Sequence, residues 1–447
     1  MRGIWIVILS FLLVVAIRLC YVENYAVALP FWDQWDAEGD HLIRPWVEGT
    51  LKVSDLWNPH NEHRIFPTRL FSLMLFQITG QWNNLFSAKV NVVLAATIPT
   101  ILLGFLYRFN GLNGRKWWIL PFLIAQFTLP FSFENWLVGF QSQFYFLILF
   151  VVTAFGLSTA FPERASAQFL VFLLCFLSTL TTASGILTPL TVAGVYLLQW
   201  LSEPGNKIQY WILVAALTIM AIIGYFQIPH IAAHDMYRAR NLSEWTHSLL
   251  LILSWPVGPH NWIAAPLWSP ALITLAFLLK RNRLRKSDFF MAGCVMWSLT
   301  QAMAIAFGRG QELTALPSRY TELLSIGLVA NAWFAIRFVE EYKVAKWYKY
   351  LILSIFPLFF HGHRKRFKSD MHDVQRVHRH SVVQTKNVVS YLQTNNPNYL
   401  RQPTMHIPYP DPVGLKQLLD NRTIITLLPP EIGSNSHFNA IGTKKEQ

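Results

Sequence analysis

The chain has 447 residues, of which 53% are hydrophobic and 15% aromatic while only 14% are charged, against about 25% charged in an ordinary soluble domain. That deficit excludes a soluble globular protein and points to lipid as the solvent. The net charge of +13 does not imply a nucleic-acid partner, because many of the basic residues sit in short connections between apolar runs, where membrane orientation accounts for them.

Taken in chain order, hydropathy predicts spans near residues 3–20, 84–107, 117–133, 137–160, 167–182, 186–201, 208–228, 247–279 (with a break signalled at Pro256 and Pro259), 289–307, 318–338 and 346–361. That makes about eleven helices of roughly spanning length. The first carries Arg2 and a long apolar stretch, but no small-residue cleavage site follows Leu19-Cys20-Tyr21, so it is expected to be retained as a helix. Cys20, Cys175 and Cys294 lie in or beside apolar segments at wide spacing, which suggests packing residues and no disulfide framework. The stretch Phe66 to Thr79 is apolar but short and holds Pro67 and Arg69; it reads as an amphipathic helix on the membrane surface.

With the amino terminus inside, the inner connections each hold at least one basic residue, most strongly Lys280-Arg281-Asn282-Arg283-Leu284-Arg285-Lys286. The opposite connections near 130–136 and 181–188 hold none, as positive-inside orientation requires. Arg238, Arg240 and Arg309 fall in outer loops against this trend. The expected fold is an all-α polytopic membrane protein: a transmembrane region over 1–362, with a large first outer loop and surface helices at 21–82, then a small soluble carboxy-terminal domain over 363–447. In that domain Leu415 to Leu419 predicts a short helix and Ile424 to Leu428 a strand. The expected place is the plasma (inner) membrane, multi-pass.

The first outer loop contains Pro30-Phe31-Trp32-Asp33-Gln34-Trp35-Asp36-Ala37-Glu38-Gly39-Asp40. Carboxylates there can supply a general base or bind a cation, while tryptophans settle at the interface or stack on sugars; the plain alternative is a solvated acidic loop beneath an aromatic belt. His60-Asn61-Glu62-His63-Arg64 follows. Its histidines and carboxylate could ligate a divalent ion, its Arg and His could hold a phosphate, or it could simply open a helix. Gln141 and Gln143 enter a span, where buried amides either tie helices together or line a wet cavity. Arg309 and the Pro317-Ser318-Arg319-Tyr320 run bring two arginines to the mouth of adjacent late helices. They either snorkel to head groups or bind phosphate, which the planar guanidinium fork matches well.

Taken together, Trp32-Asp33-Gln34-Trp35-Asp36 after a first span, Glu48-Gly49-Thr50-Leu51 further on, and the many later spans resemble the GT-C superfamily of integral membrane glycosyltransferases. The resemblance implies a polyprenyl-phosphate sugar donor and a lipid-linked or surface glycan acceptor, with inverting transfer on the non-cytoplasmic face. It makes Asp33 the counterpart of the catalytic acid, with Asp36 as second candidate. Trp32 and Trp35 become a sugar platform. Substrate binding is expected at His60, Glu62, His63, Arg64, Gln141, Gln143, Arg309, Arg319 and Tyr320. An Asp-Gln pair replaces the commoner Asp-Glu or Asp-Asp, so a divalent cation (Mg or Mn) is an open requirement. Competing classes are a transporter or flippase of lipid-linked sugars, or a polymerase or ligase using a pyrophosphate-linked donor. A transporter should place polar residues at mid-membrane and show repeats, whereas polarity here gathers at the outer ends.

Overall fold

The computed structural model describes residues 2–202, 208–311, 313–341 and 346–433. Met1, parts of two connections expected on the inner side (203–207 and 342–345), Glu312, and the end of the expected carboxy-terminal domain (434–447) lie outside the described residues. The described chain is helical throughout, with no strand. Eight helices are long and apolar enough to cross a membrane: Gly3–Tyr25, Asn84–Arg108, Gly139–Ala160, Ala183–Ser202, Ile208–Phe226, Asn261–Lys280, Lys286–Arg309 and Ser318–Glu341. A further apolar helix, Ala165–Thr179, is shorter. The protein is thus an all-α, membrane-embedded bundle.

The labels used below are α1 (Arg2–Tyr25), α2 (Phe66–Thr79), α3 (Asn84–Arg108), α4 (Ile119–Thr128), α5 (Phe133–Leu137), α6 (Ser142–Ala160), α7 (Ala165–Thr179), α8 (Leu187–Ser202), α9 (Ile208–Phe226), α10 (Leu242–Leu253), α11 (Ala264–Lys280), α12 (Lys286–Arg309), α13 (Ser318–Glu341), α14 (Lys346–Leu353), α15 (Ile355–Thr394), α16 (Pro412–Asp420) and α17 (Arg422–Leu427). The centre is α13, whose apolar window is buried along its whole length. It can pack closely because Gly327 lacks a side chain: a Cβ there would stand 2.4 Å from Cβ of Ser298 on α12, a small-residue contact that lets backbones approach. Polar side chains tie the bundle elsewhere. The buried Arg18 of α1 pairs with Glu322 of α13 at 2.6 Å, and Asn84 and Asn91 of α3 hydrogen-bond to Leu137 and Gly139 at 3.0 and 2.7 Å. At the opposite end, Lys116 meets Glu340 at 2.6 Å and Arg337 meets Asp288 at 3.1 Å.

Several predicted elements differ in detail. The span expected over 117–133 is interrupted, α4 giving way to a turn at Pro130–Ser132 before α5, because Pro130 has no N–H to continue the ladder. The segment 247–279 splits into α10 and α11 around Trp255 to Asn261. Residues 424–428 are not a strand: α17 forms there, its first turn capped by Asn421, whose side chain accepts from Ile424 N at 3.2 Å. The boundary expected between 362 and 363 falls inside α15, a single helix of 40 residues. The chain beyond it packs on the first loop, with Leu29, Trp35, Ile43 and Trp82 sharing one apolar cluster with Tyr391, Leu400, Leu415 and Ile424. At 14 residues, α2 is too short for the roughly 20 that cross a bilayer.

Candidate functional site

After α1 the chain turns sharply. Trp32 adopts a left-handed backbone with φ of 55°, a strained conformation for a bulky residue, and its N–H donates to the Pro408 carbonyl at 2.7 Å. Asp33 follows, and Gln34–Ile43 winds as a π-helix, a form that recurs at functional sites. That helix is pinned from within. Glu38 is buried and accepts from Gln34 Nε2 at 2.8 Å, Ser72 Oγ at 2.5 Å and Trp82 Nε1 at 3.3 Å, so burial pushes its carboxyl up while the three donors hold it down. The Asp33 carboxylate is left half-buried, with 44% of its side chain exposed.

His60 stands beside it, Nε2 at 4.0 Å from Asp33 Oδ2, with its ring edge-on to Phe140 at 5.9 Å. His60 and His63 close a tight turn by reciprocal backbone hydrogen bonds of 2.7 and 3.0 Å, Asn61 supplying the left-handed residue. The His63 Nδ1 accepts the Ala183 N–H at 3.0 Å, which leaves Nε2 to carry the proton of a neutral ring. Burial, opposed by Glu62 and reinforced by His60, Arg309 and Arg319, lowers its pKa to about 4. On the late helices, Arg309 lies over the Tyr237 ring at 5.0 Å and Arg319 over Tyr320 at 5.0 Å. The Tyr320 hydroxyl interacts with both guanidinium groups, and Glu134 lies 3.8 Å from Arg319. Burial raises the Asp33 carboxyl above its usual range, aided by Asp36 and opposed by His60, Arg319 and His234. Several carboxylates, histidines and two arginines from distant segments therefore share one end of the bundle.

Some sequence-predicted residues take other roles. Trp35 is not a sugar platform: it is fully buried, donates Nε1–H to the Pro30 carbonyl at 3.0 Å and sits edge-on to Trp82, leaving no face to stack on a ring. Trp32 keeps 39% exposure. Glu62 faces His234, Oε1 to Nδ1 at 2.5 Å, while its buried Oε2 has no partner; despite burial, the His234 contact lowers its carboxyl. Arg64 is tied to the carbonyls of Trp57 and Gln227 at 3.2 Å each. Asp36 receives the Tyr409 hydroxyl, whose pKa burial and that contact push up. Gln143 is buried and donates to Gln141 Oε1 at 3.3 Å, while its own Oε1 has no partner. Among the described residues no group of three or more His, Cys, Asp or Glu is arranged to hold a metal ion. Sequence reasoning missed His234, one of two histidines in a long loop that carries no motif, and Tyr409, whose distance in sequence hides its contact with Asp36.

Next to this cluster an apolar cavity of about 350 Å³ opens between α7 and α9. Phe172, Phe176, Met220 and Ile223 line it, with Glu62 and Arg64 at its polar end. Compared with known proteins, the chain matches no family model, no curated protein and no solved structure.

Proposed function

We propose that the protein is a membrane glycosyltransferase that moves a sugar from a polyprenyl-phosphate donor to a lipid-linked or surface glycan acceptor, with inversion, on the non-cytoplasmic side. The convergence of Asp33, His63, Arg309, Arg319 and Tyr320 carries this proposal. Asp33, made more basic by burial, removes the acceptor hydroxyl proton as that oxygen attacks the anomeric carbon. The bond from that carbon to the phosphate oxygen breaks, and the phosphate leaves with the electron pair. Arg309 and Arg319 balance the charge that grows on it, a preorganised electrostatic role, and the neutral His63 Nε2–H adds a donor without adding charge. The exposed face of Trp32 suits a sugar ring. The cavity between α7 and α9 suits the donor's isoprenoid chain, its polar end meeting Arg64.

A single displacement fixes the stereochemistry, so the product is the test. Purified protein given an acceptor and a β-linked polyprenyl-phosphate sugar should yield only the α-linked product by nuclear magnetic resonance. A β-linked product would exclude direct attack. Absence of any transfer with monophosphate donors, alongside transfer from a pyrophosphate donor, would move the protein to the polymerase and ligase class.

A further inference from the structure

Arg319 is the second residue of α13, where main-chain N–H groups have no partner within the helix. A carboxylate from another element fills that gap. Glu134 of α5 accepts the Arg319 N–H and the Ser318 hydroxyl at Oε2, each at 2.9 Å, and its own N–H donates to Ser318 Oγ at 3.2 Å. Its second oxygen, Oε1, stands 3.8 Å from Arg319 Nη1. The next residue completes the clamp: Asn135, fully buried, donates from Nδ2 to the Arg319 carbonyl at 2.9 Å. Two consecutive residues thus hold Arg319 at its N–H, its carbonyl and its guanidinium.

The platform that carries the clamp is itself fixed. In α5, Phe133, Asn135, Trp136 and Leu137 are buried; the Tyr145 hydroxyl donates to the Asn135 carbonyl at 3.0 Å, and Arg18 lies over the Trp136 ring at 4.6 Å. Glu134 is the exception, with 37% of its side chain exposed beside an Arg319 that keeps 39%, so the pair is open to a ligand. An exposed ion pair adds little to stability. Its effect is on order: an arginine that binds phosphate must give up the freedom of a long side chain, and Glu134 removes part of that cost beforehand. A cap alone would need only Oε2, and the direction of Oε1 towards the guanidinium is what a purely structural role leaves unexplained.

We infer that Glu134 is a positioning residue that aims the Arg319 guanidinium at the departing phosphate and itself touches neither sugar nor acceptor; this rests on the glycosyl transfer proposed above. Charge builds on the phosphate as its bond to the sugar breaks, so the effect belongs to turnover and to the released lipid more than to donor binding. Glu134→Gln keeps an oxygen for the two bonds at the helix end and turns an amide towards the guanidinium, so the full-length protein should melt at nearly the same temperature. In lipid discs its kcat should fall about tenfold while donor KM stays nearly unchanged, and polyprenyl phosphate, the released lipid, should bind about fivefold more weakly. In an Arg319→Gln background the same change should have no further effect on either quantity. Losses of equal size in both backgrounds would mean that Glu134 acts other than through Arg319 and would overturn its positioning role, as would an unchanged kcat in the single variant of an active enzyme. If the wild type transfers no sugar, yet binds polyprenyl phosphate with the Glu134 and Arg319 effects coupled, the reaction falls and the positioning role stands.

Discussion

Asp33 and Trp35 stand two residues apart and have different fates: Asp33 is half-buried beside His60, while Trp35 is core. Trp35→Ala should therefore destabilise the protein by about 3–5 kcal/mol, as loss of a buried aromatic does, whereas Trp32→Ala should leave thermal stability nearly unchanged and raise the acceptor KM. Because burial raises the Asp33 carboxyl and only its ionised form can accept a proton, the acid limb of the rate profile should lie above the usual aspartate value. His63 works in the opposite direction. Its folded pKa of about 4 lies below the ordinary 6.5, so its contribution to stability is complete above pH 6.5 and is lost as pH falls through 4. Unfolding followed against pH should show this loss in the wild type and not in His63→Gln. Acidic residues, histidines and arginines were legible as reactive because such groups are costly beside lipid. The division between exposed Trp32 and buried Trp35 was not, since alternation in sequence says nothing about a π-helix.

Among the helices, the tie between α1 and α13 carries the next prediction. Arg18 and Glu322 are both buried, and Glu322 also accepts from Asn135 of α5 at 3.3 Å, whose amide donates to the Arg319 carbonyl at 2.9 Å. Breaking a buried pair leaves an uncompensated charge, so Arg18→Met should cost about 3–5 kcal/mol, and adding Glu322→Leu should recover most of it. Denaturation of the single and double variants checks this; equal losses in both would mean that packing, not charge, holds the two helices. Long apolar runs revealed α1, α3, α12 and α13 in the sequence because length and hydropathy alone define them. The split of α4 from α5 and the identity of α17 were hidden, because Pro130 and the cap at Asn421 act through local backbone geometry that a hydropathy window averages away.

Across the whole molecule, the first loop, the loops after α5 and α9, the mouth of α12 and α13, and the chain after α15 meet at one end of the bundle. The Pro408 carbonyl fixes Trp32 and the Tyr409 hydroxyl reaches Asp36, so truncation before residue 400 should lower activity by loosening the acidic loop even though no group there touches the reacting atoms. This dependence was not legible in the sequence, where 33 and 409 lie in regions of different character. The central claim is that Asp33 acts as the base within this shared site. Transfer of labelled sugar from a polyprenyl-phosphate donor, measured with purified wild-type protein and Asp33→Asn in the same lipid discs, tests it most directly. The variant should fold normally, bind donor, and lose about 10²-fold or more in rate; full activity in Asp33→Asn would contradict the account.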